Sequence, residues 1–178
     1  MASRFYLNNA AISGTGPTTW RGTWDNGTGT AVTKKLGEAK EGINVTQATA
    51  EANATNNYDV ALGRWVSDVL TASVTFLTTD TWQACFGVLE DNAAANMVSH
   101  IHVYVTDGDS DTPKTGGTLV SNAVASLNTP EWGTSAAGDL YNGVSSTTLS
   151  ISSNFTAAVG DRIVVEIGYQ AQNTSTIS

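Results

Sequence analysis

The sequence predicts an all-β fold, an antiparallel β-sandwich of one domain, on three observations. Short runs of period-two alternation recur through its second half, turn residues punctuate them, and no stretch carries a sustained 3.6-residue apolar period. A length of 178 residues suits one domain spanning 1–178, large enough to bury a proper core.

The clearest strand is VGDRIVVEIGYQA, Val159–Ala171, in which Ile163, Val165, Ile167 and Tyr169 share one face while Val164, Glu166, Gly168 and Gln170 share the other. Just upstream, Leu149, Ile151, Ser153 and Phe155 alternate with Ser150, Ser152 and Asn154, and the Gly160-Asp161 pair between the two runs is a turn signal. Further strands are expected in YDVALGRWVSDVL, ASVTFLTTD, TWQACFGVLE, MVSHIHVYVT and GTLVSNAVAS, a density of short strands that fits a sandwich or barrel. Trp82, Ala84, Phe86 and Val88 share a face, as do Ile101, Val103 and Val105. With Asp91–Asn96 as the connection, these two strands are expected to form an antiparallel hairpin whose apolar faces join the core. Burying a side chain such as Phe86 or Ile167 contributes about 1.5–3 kcal/mol, so a core of this kind holds without metal or disulfide.

The first part of the chain has a different texture. Residues 8–57 are broken by Gly, Thr, Asn and Ala and are expected to form a loop-rich, extended N-terminal arm. Short strands are expected at Arg4–Leu7, Ala31–Leu36 and Ile43–Thr46. Gly42 and its β-branched neighbours weaken any helix in GEAKEGINVTQATAEANATNN.

Charged residues make up only 13% of the chain, so its surface must be largely Thr, Ser, Asn and Gln, which suits a protein resting against other proteins. The net charge is −8 and the eight basic residues are scattered, so the clustered positive patch that grips phosphate backbones is missing and nucleic acid is not an expected partner. No apolar run reaches the length of a membrane span, and MASRFYLNNA lacks the apolar core of a signal peptide, so neither a membrane nor secretion is expected. Asn-x-Ser/Thr triplets at Asn26, Asn44, Asn53, Asn154 and Asn173 follow from the abundance of Asn and Thr. Cys85, the single cysteine, reads as a small buried apolar residue.

Candidate chemistry is sparse. His100 and His102 project from one strand face at a spacing that zinc sites use, yet there is no third histidine and Tyr104 and Thr106 continue the same polar outer face. DGDSD, Asp107–Asp111, resembles the opening of a calcium loop, but Thr112 and Thr118 stand where such a loop needs Gly and Glu, so an acidic turn is expected. No nucleophile elbow, zinc-protease motif, phosphate loop or dinucleotide fingerprint occurs, and no pair among the sixteen acidic residues stands out, so no catalytic residue, metal or cofactor is expected. WRGTWDNGTG is different in kind. Trp20 and Trp24 flank Arg21 in a stretch with little strand pattern, where exposed indoles could stack on sugars or anchor in a partner protein, or could fold back on their own domain. Trp20, Arg21 and Trp24 are the candidate partner-interface residues.

Three segments, SRFYLNNAA, NNYDVALGRWVSDVL and FTAAVGDRIVVEIGYQA, resemble in order a group of small tailed-bacteriophage virion structural proteins, with Asn8 and Asn9 departing from the Pro-Ser pair common there. The resemblance implies a jelly-roll-like β-sandwich on the virion, at the capsid surface. Its role there is that of a capsid decoration (cement) protein, a homo-oligomer bound to the major capsid protein or other virion proteins, with a trimer as the expected state. The alternative is a head- or tail-fibre component that binds host glycan; outside the virion it is a free carbohydrate-binding module or an accessory domain of a lytic enzyme.

Overall fold

The computed structural model describes residues 4–24, 31–41, 58–82, 85–88, 98–124, 139–142 and 149–171. These residues form strands and no helix. In chain order the strands are β1 (Tyr6–Leu7), β2 (Val32–Gly37), β3 (Tyr58–Ser67), β4 (Val74–Phe76), β5 (Thr81–Trp82), β6 (Cys85–Val88), β7 (Val98–Thr106), β8 (Pro113–Val124), β9 (Asp139–Asn142), β10 (Leu149–Ser150), β11 (Phe155–Ala157) and β12 (Arg162–Ala171). The all-β expectation holds.

A six-stranded sheet in the order β1-β2-β3-β12-β7-β8 forms the body. Every neighbouring pair is antiparallel except β2 and β3, which run parallel with Val32 opposite Gly63 and Leu36 opposite Ser67. A parallel pair needs a crossover of a dozen residues or more, and the long connection 38–57 supplies it. Three two-stranded ladders accompany the sheet: β4 with β11, β5 with β10, and β6 with β9.

The alternation read in Val159–Ala171 places the core. Val165 sits opposite Trp65 on β3 and Val103 on β7, and Ile163 and Ile167 sit opposite Val105 and Ile101. All of these are buried and pack in one apolar cluster with Leu36, Leu119 and Val120 of the sheet and with Phe76, Ile151 and Ala157 from the segments of the short ladders. The Gly160-Asp161 turn is also as expected: Gly160 has φ 92°, Asp161 N donates to Ala158 O at 3.2 Å, and the Asp161 carboxylate returns to Ala158 N at 2.8 Å.

Two expectations are corrected. The hairpin between Trp82–Val88 and Ile101–Val105 does not form. β7 is held along its length by β12 on one side and β8 on the other, so both its edges are taken, and β6 pairs with β9 while β5 pairs with β10. The alternating run from Leu149 to Phe155 is also not one strand. It divides into β10 and β11 because Ser152 N turns to Leu119 O at 3.3 Å and the Asn154 carboxamide accepts Thr78 N at 2.8 Å, bonds that draw the chain out of a ladder. The expected strand at Ile43–Thr46, the environments of Cys85, Trp82 and Phe86, and the triplets at Asn26, Asn44, Asn53 and Asn173 lie outside the residues whose side chains are described.

Candidate functional site

The second face of the sheet departs most from the sequence reading. His100, His102, Tyr104, Thr106, Arg64, Arg162 and Glu166 are all buried, although a polar strand face ordinarily meets water. The cover is the N-terminal segment itself. β1 pairs with β2, and Asn8 N and Lys35 N extend that pairing through bonds to Lys35 O and Ala10 O, so the connection between the two strands starts and ends at the same sheet edge. Its described part, residues 12–24, is laid as a strap across β3, β12 and β7. The loop-rich character expected of residues 8–57 is present here, but the segment is docked on its own domain.

Ile12 seats the start of the strap against Val66, Tyr104 and Val164, a small apolar cluster on the otherwise polar face. Beyond it the contacts are almost all hydrogen bonds, and they follow one pattern: backbone amides of the strap donate to carboxylates of the sheet and its turns. Asp109 accepts from Gly16 N at 3.1 Å and from Thr15 Oγ1 at 3.2 Å. Asp111 accepts from Thr18 N, from Thr19 N at 3.1 Å and from Thr18 Oγ1 at 2.9 Å. Glu166, fully buried, accepts from Arg21 N at 3.0 Å, Gly22 N at 2.7 Å, Trp24 Nε1 at 2.8 Å and Tyr104 Oη at 2.9 Å. A buried carboxylate is stable only when its oxygens are saturated in this way.

Arginines answer from below. Arg64 Nη1 donates to Thr19 O at 3.0 Å with its guanidinium 4.8 Å from the centre of the Trp20 ring. Arg162 reaches Ser13 O and Ser67 O at 2.7 Å each, and its Nε lies 3.0 Å from Asp109 Oδ1 as an ion pair outside hydrogen-bond geometry. Arg21 folds back so that Nε and Nη2 both donate to Asp111 O.

The titration behaviour follows these contacts. The amides of Thr18 and Thr19, with the Thr18 hydroxyl, hold the Asp111 carboxyl below its ordinary value. Burial pushes Asp109 up, but the Gly16 amide, Arg162 and Thr15 together outweigh it and hold it low. The Ser13 hydroxyl, assisted by Lys35, does the same to Asp68. Burial, then the neighbouring Glu166 charge, raises the Tyr104 phenol.

Trp20, Arg21 and Trp24 are therefore brought together on the strap, each partly buried, each engaged with the chain's own sheet. The Trp24 indole also lies 4.6 Å from the His100 ring, in a seat that exists because residue 168 is glycine: a Cβ there would collide with Val60 O and with the indole. His100 Nδ1 is 3.0 Å from Asp59 Oδ1, and the His102 ring leans on Tyr104 at 5.4 Å. Among the described residues no three His, Cys, Asp or Glu side chains gather as a metal site. The DGDSD stretch is an acidic turn, with Gly108 at φ 52° and Ser110 N bonded to Asp107 O at 3.0 Å. Its second and third carboxylates are the strap's anchors, a role that no local feature of the turn announces.

No protein-family model, curated protein or solved structure matches this chain. No helix among the described residues is long and apolar enough to cross a membrane.

Proposed function

We propose that the chain is a structural protein of a tailed-bacteriophage virion, a capsid decoration protein that binds the major capsid protein and stabilises the lattice. The observation that carries this reading is the inward placement of charge: Asp59, Arg64, Asp161, Arg162 and Glu166 are all buried and used to clamp the chain to itself, in a protein with only 13% charged residues. Thr, Ser, Asn and Gln outnumber the charged residues of the chain, and contacts made through hydroxyls and amides desolvate less charge. Two of the three segments that resemble the virion proteins form the paired central strands β3 and β12, and the third contains β1, so the resemblance falls on the sheet's frame. In this reading the six-stranded sheet and the short ladders are two layers of a jelly-roll-like sandwich, and the strap gives it a rigid back. The exposed parts of Trp20, Arg21 and Trp24 are the strap's share of the contact with the capsid. Many copies at symmetric positions, each adding a modest interface, resist internal DNA pressure together.

The test is copy number in purified particles, measured against the major capsid protein. A ratio of one to one, or a simple fraction of it, supports decoration. A handful of copies moves the chain to the tail or fibres, and absence from particles overturns the virion reading.

A further inference from the structure

Apart from β1, residues 4–24 form no helix or strand, and β1 exists only by pairing with β2. The groups that seat this segment, Lys35, Arg64, Asp109, Asp111, Arg162 and Glu166, all lie beyond residue 31. The segment is in effect a peptide ligand bound to a finished sheet, and residues 25–30, DNGTGT, join it to the strands that follow.

The seat is selective for its occupant. It offers carboxylates in a fixed order to hydroxyls, amides and an indole: Asp68 to Ser13 at 2.7 Å, Asp109 to Gly16 at 3.1 Å, Asp111 to Thr19 at 3.1 Å, and Glu166 to Gly22 at 2.7 Å and Trp24 at 2.8 Å. Between these bonds Gly14 takes φ 78°, and a Cβ there would collide with the Asp109 carboxylate. At the far end the Trp24 indole fills space that a Cβ on Gly168 would take. Residues 12–24 of this chain meet all of these demands at once.

We propose that crowded copies of the chain exchange these segments, residues 4–24 of each docking on the sheet of the other. Exchange of an identical element re-forms every contact, so concentration decides between a chain's own sheet and its neighbour's. A tether of six residues sets an effective concentration on the order of millimolar. Dilute chains therefore keep their segments, and chains packed at that density share them. The exchange concerns the purified chain and does not rest on the virion reading.

Ser13→Cys and Asp68→Cys, introduced together with Cys85→Ser, put one thiol on the segment and one beside the sheet, where the native side chains are exposed and meet at 2.7 Å. A short bismaleimide links the two, and near-UV circular dichroism checks that the fold is kept. Thr18→Cys with Asp111→Cys is the second pair should the first disturb folding. The chain is held at about 10 µM and at about 1 mM in urea below its unfolding transition, which speeds local opening, then linked and run on a denaturing gel. The expected result is linkage within single chains at the low concentration. At the high one the share of covalent dimer is more than about tenfold larger, and dilution before linkage reverses it. Linkage within single chains alone at both concentrations overturns the proposal. So does a dimer share as large with Ser13→Cys alone, which marks chance contact. Dimers seen in sedimentation that linkage leaves as single chains also overturn it, and assign association to another surface.

Discussion

The indole Nε1 of Trp24 donates a 2.8 Å hydrogen bond to Glu166, a carboxylate at the middle of the sheet that water does not reach. Residues 142 positions apart in sequence are thereby made one unit, and the same carboxylate takes the amides of Arg21 and Gly22 and the phenol of Tyr104. Replacing Glu166 with Ala leaves four donors without their acceptor. A lost bond to a charged group is worth about 1.5–3 kcal/mol and the donors share one site, so a total loss of about 3–5 kcal/mol in urea unfolding is expected. Glu166→Gln, which keeps the shape and one acceptor oxygen, should lose less. A loss under about 1 kcal/mol for Glu166→Ala would show that the strap is not coupled to the sheet's stability.

Acid should free the strap before it melts the sheet. Asp68, Asp109 and Asp111 all titrate below their ordinary value of 3.8 because strap donors, hydroxyl or amide, favour their charged forms. For groups whose pKa is lowered on folding, the stabilisation is complete above the unfolded value and is lost as pH falls through the folded one. The groups facing the strap are Asp59 and Arg64 from β3, His100, His102 and Tyr104 from β7, Arg162 and Glu166 from β12, and these three aspartates. Amide exchange of residues 13–22, corrected for intrinsic rate, should therefore accelerate below about pH 4 while β12 stays protected. Strap and β12 losing protection together would refute a separate latch. At the other end Tyr104 has the opposite sign: its pKa is raised, so its contribution is present below the ordinary phenol value of 10.0 and is lost as pH rises toward the raised one. A stability plateau flanked by both losses is expected in pH-dependent urea titrations.

Gly168 is the point where the strap and the sheet compete for the same space. A methyl group added there would meet Val60 O and the Trp24 ring, at the place where the pairing of β12 with β3 shifts register between Ile167 and Gly168. Backbone cannot yield as a flexible side chain would, so Gly168→Ala should cost about 2–3 kcal/mol or prevent folding. The control is Gly160→Ala. No atom lies within 4 Å of a Cβ there, but φ is 92°, so its cost is backbone strain without a clash and the chain's tryptophan emission stays unchanged. If Gly168→Ala unfolds at the same denaturant concentration as the unaltered chain, Trp24 does not sit where the structure places it.

The sheet was legible in the sequence because its long strands alternate, and the alternation of Ile163, Val165 and Ile167 named the core face correctly. The strap was not, because docking of residues 13–24 is specified by partners mostly some 90 to 150 positions away, and a polar, Gly-rich segment has no period to betray what it covers. One signal was present. Tyr104 and Val164 stand with His102 and Glu166 on the strand faces read as outer, and large side chains of this kind on a face that should meet water are the pattern of a face that is covered. The hairpin expected from Trp82 to Val105 failed for another reason: nearness in sequence is a weak guide when a later strand, β12, offers β7 an uninterrupted register from Arg162 to Gln170. The indoles of Trp20 and Trp24 turned inward, onto Arg64 and Glu166.

Val165 offers the sharpest check on which face is the apolar one. It is buried in the main cluster, opposite both Trp65 and Val103, whereas its neighbour Glu166 points the other way into the strap's donors. The one donor among these side chains, the Trp65 indole Nε1, is already bonded to Asn8 O at 3.2 Å, so Val165→Asp should cost more than about 4 kcal/mol, enough to unfold a domain of ordinary stability. Val165→Thr, close in volume, adds only a hydroxyl and should lose about 1–2 kcal/mol while the chain still folds. The two variants, compared by thermal melts and far-UV circular dichroism, separate burial of charge from loss of shape. A folded Val165→Asp with an unchanged melting temperature would place residue 165 on the solvent side and reverse the assignment of both faces of β12.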